Sequence, residues 1–313
     1  MLDHFTISSL HIGGIAGLDH FTPQNGLGQL ARNYLISCKV EGKSEKTIAL
    51  YSLVLRGFLG LGDELSTAQV RMFLLSLQER GLRPSSVHNH YKCLRAFFNW
   101  LVNEGAIPEN PMHNIKPPKV PRLIIKPFSR GDIDNLLLLC SGNRFLDLRN
   151  RAIILVFLDT GLRLAELTNI QLQDVNFEGE LIKVMGKGAK ERVVRIGKTA
   201  QRALLKYLLS RKDSHSCLWV TEERRPMATS AIQIMVKRLC QRAGITNVKQ
   251  GPHTFRHTFA INYLRNGGDT FTLQYILGHS DLGMTRRYVG ILGLYEMVQA
   301  HKMASPVDNL RLK

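Results

Sequence analysis

Apolar residues recur at steps of three and four along most of this chain, and that rhythm predicts helices. Leu27, Leu30, Tyr34 and Cys38 mark one face of a first helix. A second opens at Ser44, a good N-cap, and carries Ile48, Leu53 and Leu55 to Gly60. Ser66-Thr67-Ala68-Gln69 has capping-box spacing ahead of Val70, Phe73, Leu74 and Leu77. A long helix then follows Pro84-Ser85-Ser86, with Val87, Tyr91, Leu94, Phe98 and Leu101 on one side and His88, Lys92 and Arg95 on another. Asn110-Pro111 stops the run. Residues 116–127, KPPKVPRLIIKP, hold four prolines and four basic residues, which predicts a stiff, cationic, extended linker.

Beyond the linker the helical rhythm resumes at Arg130–Leu139 and Asp147–Leu158, and the second run closes at Thr160-Gly161. Alternation takes over once, at Leu181–Met185 and Val193–Ile196 around a Gly-rich turn. That is a hairpin, and Cys217–Val220 is expected to add a third short strand. Helices at Thr199–Leu209 and Ser230–Ala243 follow. From Pro252 to Tyr288 the pattern reads helix, turn, helix, glycine turn, helix, and Leu292–Lys302 predicts a last apolar-faced helix. The domains expected are a leader over 1–26, a helical bundle over 27–115, the linker over 116–127 and a second domain over 128–313. The leader carries LDHFT twice, at Leu2–Thr6 and Leu18–Thr22. The repeat has no physical explanation here.

Charge narrows the partner. The 313 residues include 42 Lys+Arg against 25 Asp+Glu, a net charge of +17. The excess lies on both sides of the linker: 14 basic against 9 acidic residues over 1–126, and 28 against 16 over 127–313. Such a balance favours a polyanion, nucleic acid first. Lys43, Lys46, Arg83, His88, Lys92 and Arg95 are the candidates for DNA phosphate contacts in the bundle. The same residue types also suit the solvated face of a bundle helix. Five scattered cysteines without a C-x-x-C pair read as reduced thiols, and no run is long enough to span a membrane. A cytoplasmic protein acting on DNA is expected.

The chemistry-bearing residues sit in the second domain. His253 and Arg256 share a helix face; His279 follows Gly278, and Tyr288 lies nine residues further on. Arg163 begins a helical turn, with Glu166 three residues on and able to orient it. Lys187 stands between two glycines of the hairpin turn. Guanidinium forks grip phosphate, and imidazoles donate to it or move protons near neutral pH. A phenol is a poor nucleophile unaided, with roughly one in a thousand ionised at pH 7. Cations around a phosphodiester would ease its deprotonation.

TGLRLAEL, GKGAKERVV, HTFRHTFA and LGHSDLGMTRRY resemble, in order and spacing, the motifs of the tyrosine site-specific recombinases, the phage integrase and Xer-like family. The bundle, with its RPSSVHNHYKCLRAFFNWLV run, resembles that family's core-binding domain. The resemblance implies a mainly α, two-domain protein: a SAM-like helical bundle, then an α+β catalytic domain with a small antiparallel sheet, the DNA breaking-rejoining enzyme fold. It assigns Arg163 and Arg256 to the oxygens of the scissile phosphate, and His253 and His279 to hydrogen bonds with it. His253 is the candidate acceptor of the tyrosine proton, Lys187 the donor to the departing 5′ oxygen, Glu166 the support of Arg163. Tyr288 is the nucleophile that forms a 3′-phosphotyrosyl link. No metal or other cofactor is implied.

The implied partners are double-stranded DNA sites, further copies of the chain in a tetramer on synapsed DNA, and accessory recombination proteins. The leader is too short for the arm-site domain of lambda-type integrases. Three other functions use the same residues. A zinc hydrolase would use His253, His257 and His279, but Thr254 stands where H-E-x-x-H needs glutamate. A DNA-binding regulator would have no use for Tyr288. A type IB topoisomerase would share the chemistry and relax DNA without exchanging strands.

Overall fold

A computed structural model of the chain describes residues 26–62, 64–121, 126–186, 191–278, 282–290, 298 and 301–310. The leader with its repeat, most of the linker's centre, Lys187, His279 and most of the expected tail helix lie outside the described residues. Of that tail, residues 298 and 301–304 are helical. The chain divides into two compact units, one ending at residue 123 and the other starting at 124.

Among the described residues the first unit holds four helices: α1 (Gly26–Val40), α2 (Glu45–Leu59), α3 (Thr67–Glu79) and α4 (Pro84–Asn103). Ser44 caps α2 by accepting from the Thr47 N–H, and Ser66 caps α3 from the Gln69 N–H. The capping box expected at Ser66 is only half made. Instead of reaching back to the cap, the Gln69 amide donates to the Gly62 carbonyl at 2.6 Å. The apolar stripe of α4 is buried throughout, from Val87 to Leu101, and packs against Tyr34, Phe58 and Phe73. Phe58 meets Phe73 and Phe98 edge-on, at 5.7 Å between ring centroids in each case.

The second unit begins with α5 (Arg130–Leu138), α6 (Phe145–Thr160) and the five-residue α7 (Leu164–Thr168). A three-stranded antiparallel sheet follows: β1 (Val175–Asn176), β2 (Leu181–Met185) and β3 (Glu191–Arg195), in that order. The hairpin register pairs Lys183 with Val193 and Met185 with Glu191. Its third strand is β1 and not the expected 217–220 segment. Leu218, Trp219 and Val220 are all fully buried, so that run fills the core instead of alternating across a sheet face. Cys217 and Val220 each make a single isolated bridge, to Gln171 and Pro226.

Helices α8 (Lys198–Ser210), α9 (Thr229–Arg242), α10 (Pro252–Arg265), α11 (Thr270–Leu277) and α12 (Leu282–Val289) follow, and a four-residue helix spans Pro306–Asn309. The fold class is that expected: mainly helical, with one small antiparallel sheet. Its core seats α10 firmly. Phe255 lies 4.7 Å from Phe128 and 5.6 Å from Phe157, centroid to centroid, and the Phe128 N–H donates to Thr258 Oγ1 at 2.9 Å. Among the described residues no helix is long and apolar enough to cross a membrane.

Candidate active site

Helix α6 ends at Gly161 in the left-handed region, φ 62°, and the chain turns at once into Arg163 and α7. A β-carbon at Gly161 would run into the Phe259 ring and come within 2.9 Å of Leu277 Cδ2. Only glycine therefore lets this turn close against α10 and α11. Arg163 occupies the N-cap position of α7, one place earlier than the first turn where the sequence puts it.

Glu166 is buried, 6% exposed, and its carboxylate collects four donors. Arg163 gives its backbone N–H to Oε2 and Nη1 to Oε1, each at 2.8 Å. Arg192, on β3, gives Nη1 to Oε1 at 2.9 Å and Nη2 to Oε2 at 2.8 Å, a bidentate fork. Burial by itself would raise this carboxyl's pKa. The hydrogen bonds from Arg192 and Arg163 and the charge of Arg192 reverse that and hold it at about 2.

The end of α11 completes the cluster. Three successive carbonyls there accept from three arginines: Ile276 from Arg192 Nε at 3.0 Å, Leu277 from Arg256 Nη2 at 2.7 Å, and Gly278 from Arg163 Nη2 at 3.0 Å. A helix C-terminus leaves its last carbonyls unpaired and carries partial negative charge, so it is a natural anchor for guanidinium groups. Arg256 also donates Nη1 to the Gly161 carbonyl at 2.8 Å. It is nearly fully buried, and burial first, then Arg163, lowers its pKa to about 10. It remains charged at neutral pH.

His253 lies one turn before Arg256 on α10. The residue is exposed overall, yet desolvation of its ring, followed by the nearby charges of Arg256, Lys249 and Arg163, pulls its pKa down. Tyr288 is buried in α12, packed with Phe259, Ile261 and Leu273. Its hydroxyl sits 3.0 Å from His257 Nδ1 and close enough to Arg256 for the two to interact electrostatically. Burial, then His253, Arg256 and Lys249, lowers the His257 pKa to about 4, so the imidazole holding the phenol is neutral at pH 7.

Arg163, Glu166, Arg256, His253 and Tyr288 are thus brought into one neighbourhood, while Lys187 and His279 lie outside the described residues. Two members of the cluster were missed from sequence. The imidazole against the Tyr288 hydroxyl is His257, not His253. Arg192 fell between the expected turn and a strand expected to start at Val193; it lies in β3, where its two-residue phase with the buried Val194 faces it inward. His257 is committed to Tyr288, and no group of three metal-ligating side chains occurs among the described residues.

The bundle candidates are scattered in what they do. Lys46, Arg83, Lys92 and Arg95 are exposed. Lys43 pairs with Glu41, and His88 Nδ1 lies 3.1 Å from the Pro118 carbonyl. Those two are partly spent inside the first unit.

Residues 130–292 match the phage integrase family, and residues 30–106 match the phage integrase N-terminal SAM-like domain. The chain belongs to the phage integrase family. It is a tyrosine recombinase, an enzyme of site-specific recombination. Tyrosine recombinase XerA of Thermococcus kodakarensis is 36% identical to it over 275 residues, 87% of this chain and 93% of that protein. Tyrosine recombinase XerD of Oceanobacillus iheyensis is 30% identical over 266 residues, 80% and 89% respectively. Among solved structures, XerH site-specific recombinase bound to a palindromic difH substrate, in a post-cleavage complex, superposes with a TM-score of 0.68. That match covers 94% of this recombinase and 93% of XerH at 19% identity, and so speaks to the fold alone.

Proposed function

We propose that this recombinase cuts and rejoins duplex DNA by transesterification on Tyr288. The phenol oxygen attacks phosphorus, the bond to the 5′ oxygen breaks, and a 3′-phosphotyrosyl link and a free 5′ hydroxyl result. A 5′ hydroxyl from the partner strand then attacks that link and restores a DNA ester. Bond energy is kept in the covalent intermediate, so rejoining needs no ATP. The observation that carries this reading is the convergence of Arg163 and Arg256 at the carbonyl end of α11, with the Tyr288 hydroxyl close by.

In this reading the outward part of Arg163 and the fork of Arg256 hold the non-bridging oxygens. His253 hydrogen-bonds the phosphate with His279, and Lys187 protonates the departing 5′ oxygen. Neutral His257 holds the phenol proton until Tyr288 is engaged. The basic excess of the chain supplies affinity for the duplex, and Lys92 and Arg95, exposed on one face of α4, contact backbone phosphates. Each copy brings one nucleophile, and exchange between two duplexes breaks four strands; four copies on two synapsed sites satisfy that count.

The test uses two differently marked duplexes carrying the site mapped by covalent trapping on genomic DNA. Recombinant molecules with exchanged markers are expected, in EDTA and without nucleotide. Relaxation of a supercoiled plasmid with no exchanged product would establish a topoisomerase instead.

A further inference from the structure

The Arg163–Glu166 pair does not stand alone. Glu166 carries one negative charge and is 5% exposed at its side chain; Arg192 is 15% exposed and Arg163 32%. The carboxylate and Arg192 therefore lie on the inside, and Arg163 faces out. Among the described residues Arg163 commits two of its five side-chain donors, one to Glu166 and one to Gly278. Arg192 commits all three of its nitrogens, two to Glu166 and one to Ile276. A β-carbon at Gly278, φ 61°, would come within 3.2 Å of Arg192 Nη1, so this backbone passes close over the arginine.

Two consequences follow from that geometry. A carboxylate facing a single arginine would draw it into a bidentate, charge-neutral pair. Here the fork of Arg192 already spans both carboxylate oxygens, so Arg163 is left with one side-chain bond to Oε1 and its other side-chain donors stay out of the pair. In addition, Arg192 ties β3 to the end of α11, whose next two carbonyls are held by Arg256 and Arg163. A shift of that helix end would move both phosphate-gripping groups together.

We propose that Arg192 is a positioning residue for DNA cleavage, acting through Glu166 and the Ile276 carbonyl to keep Arg163 aimed outward and out of a closed pair with the carboxylate. This rests on the reading above in which Arg163 grips the scissile phosphate. Arg192 itself touches no substrate atom. Its removal is felt in the chemical step more than in DNA affinity.

The test measures the rate of Tyr288–DNA adduct formation in a single turnover, and the affinity for the same duplex, in the full-length protein. Arg192→Gln is expected to slow adduct formation by about ten- to a hundredfold, less than the roughly hundred- to thousandfold for removing a preorganised donor outright, with affinity within about threefold, as for a change confined to the transition state. Arg192→Lys, which keeps the charge and loses the fork, is expected to fall between wild type and Arg192→Gln. In the Glu166→Gln background, Arg192→Gln is expected to add little further slowing, because both changes break one linkage.

An adduct rate in Arg192→Gln within twofold of wild type overturns the proposal. So does an equal loss of affinity and rate, or independent, multiplying effects in the double variant. If Arg192→Gln does not fold, Arg192→Lys decides: slowing with unchanged affinity supports the assignment, and a wild-type rate refutes it. A wild-type protein that forms no adduct at all overturns the reading of Tyr288 as nucleophile, and this inference with it.

Discussion

At the scale of single residues, the site depends on charges that are buried without being neutralised. Arg256 stays charged at neutral pH although burial lowers its pKa to about 10, and the carbonyls of Gly161 and Leu277 each accept one of its donors without cancelling the charge. Arg163→Ala or Arg256→Ala is expected to slow adduct formation by about a hundredfold or more; near-native rates would remove the phosphate clamp. Glu166 offers a thermodynamic check. Its folded pKa of about 2 lies below the ordinary 4.5, so its contribution to stability is full above pH 4.5 and is lost as pH falls toward 2. The shift corresponds to about 3 kcal/mol at full protonation. Denaturant unfolding should show wild type losing that much more stability than Glu166→Gln across this window. Parallel curves would mean the carboxylate is not held by its arginines.

These residues differ in how far sequence could reach them. Arg163 and Glu166 lie three apart, a spacing that local helix geometry turns into contact, so their pairing was legible. Arg192 meets Glu166 across 26 residues and Ile276 across 84. His257 meets Tyr288 across 31. Such pairs depend on how α10, α11, α12 and the sheet pack, which a single sequence's periodicity does not encode. For His257 there was no local signal to separate it from His253, since the two share a helix and lie one turn apart.

Among elements, the apolar periodicity of α4 carried its full prediction, because Val87, Tyr91, Leu94, Phe98 and Leu101 are all buried along one helix. The 217–220 segment misled for a physical reason: an apolar run buried on every side looks the same whether it pairs or only packs. Lys92 and Arg95 are exposed on the opposite face of α4. Lys92→Ala is expected to weaken binding across all sequences and to lower the salt dependence by about one ion; an unchanged slope would place Lys92 off the duplex. The α6–α7 turn is the other element-scale test. Gly161→Ala forces a β-carbon into Phe259 at positive φ, and a loss of about 1–3 kcal/mol is expected from backbone strain alone. A thermal melt matching wild type would show that this turn has slack.

At the scale of the whole molecule, the net charge of +17 and the two compact units suit a protein that holds a long polyanion. The units have different tasks. The helical bundle offers exposed cations and an aromatic core, while the second unit gathers three arginines, a carboxylate, two imidazoles and a phenol around one helix end. In the proposed reaction charge supplies encounter with DNA and the arginine cluster supplies chemistry, so the two properties should separate under mutation. The most direct measurement is denaturing electrophoresis of the full chain incubated with site-bearing duplex in EDTA, wild type beside Tyr288→Phe. Wild type should yield a protein–DNA species that survives denaturant and maps by peptide sequencing to Tyr288, and Tyr288→Phe should bind the duplex equally well and yield none. A denaturant-resistant adduct in Tyr288→Phe, or one in wild type attached to a different residue, would contradict the account.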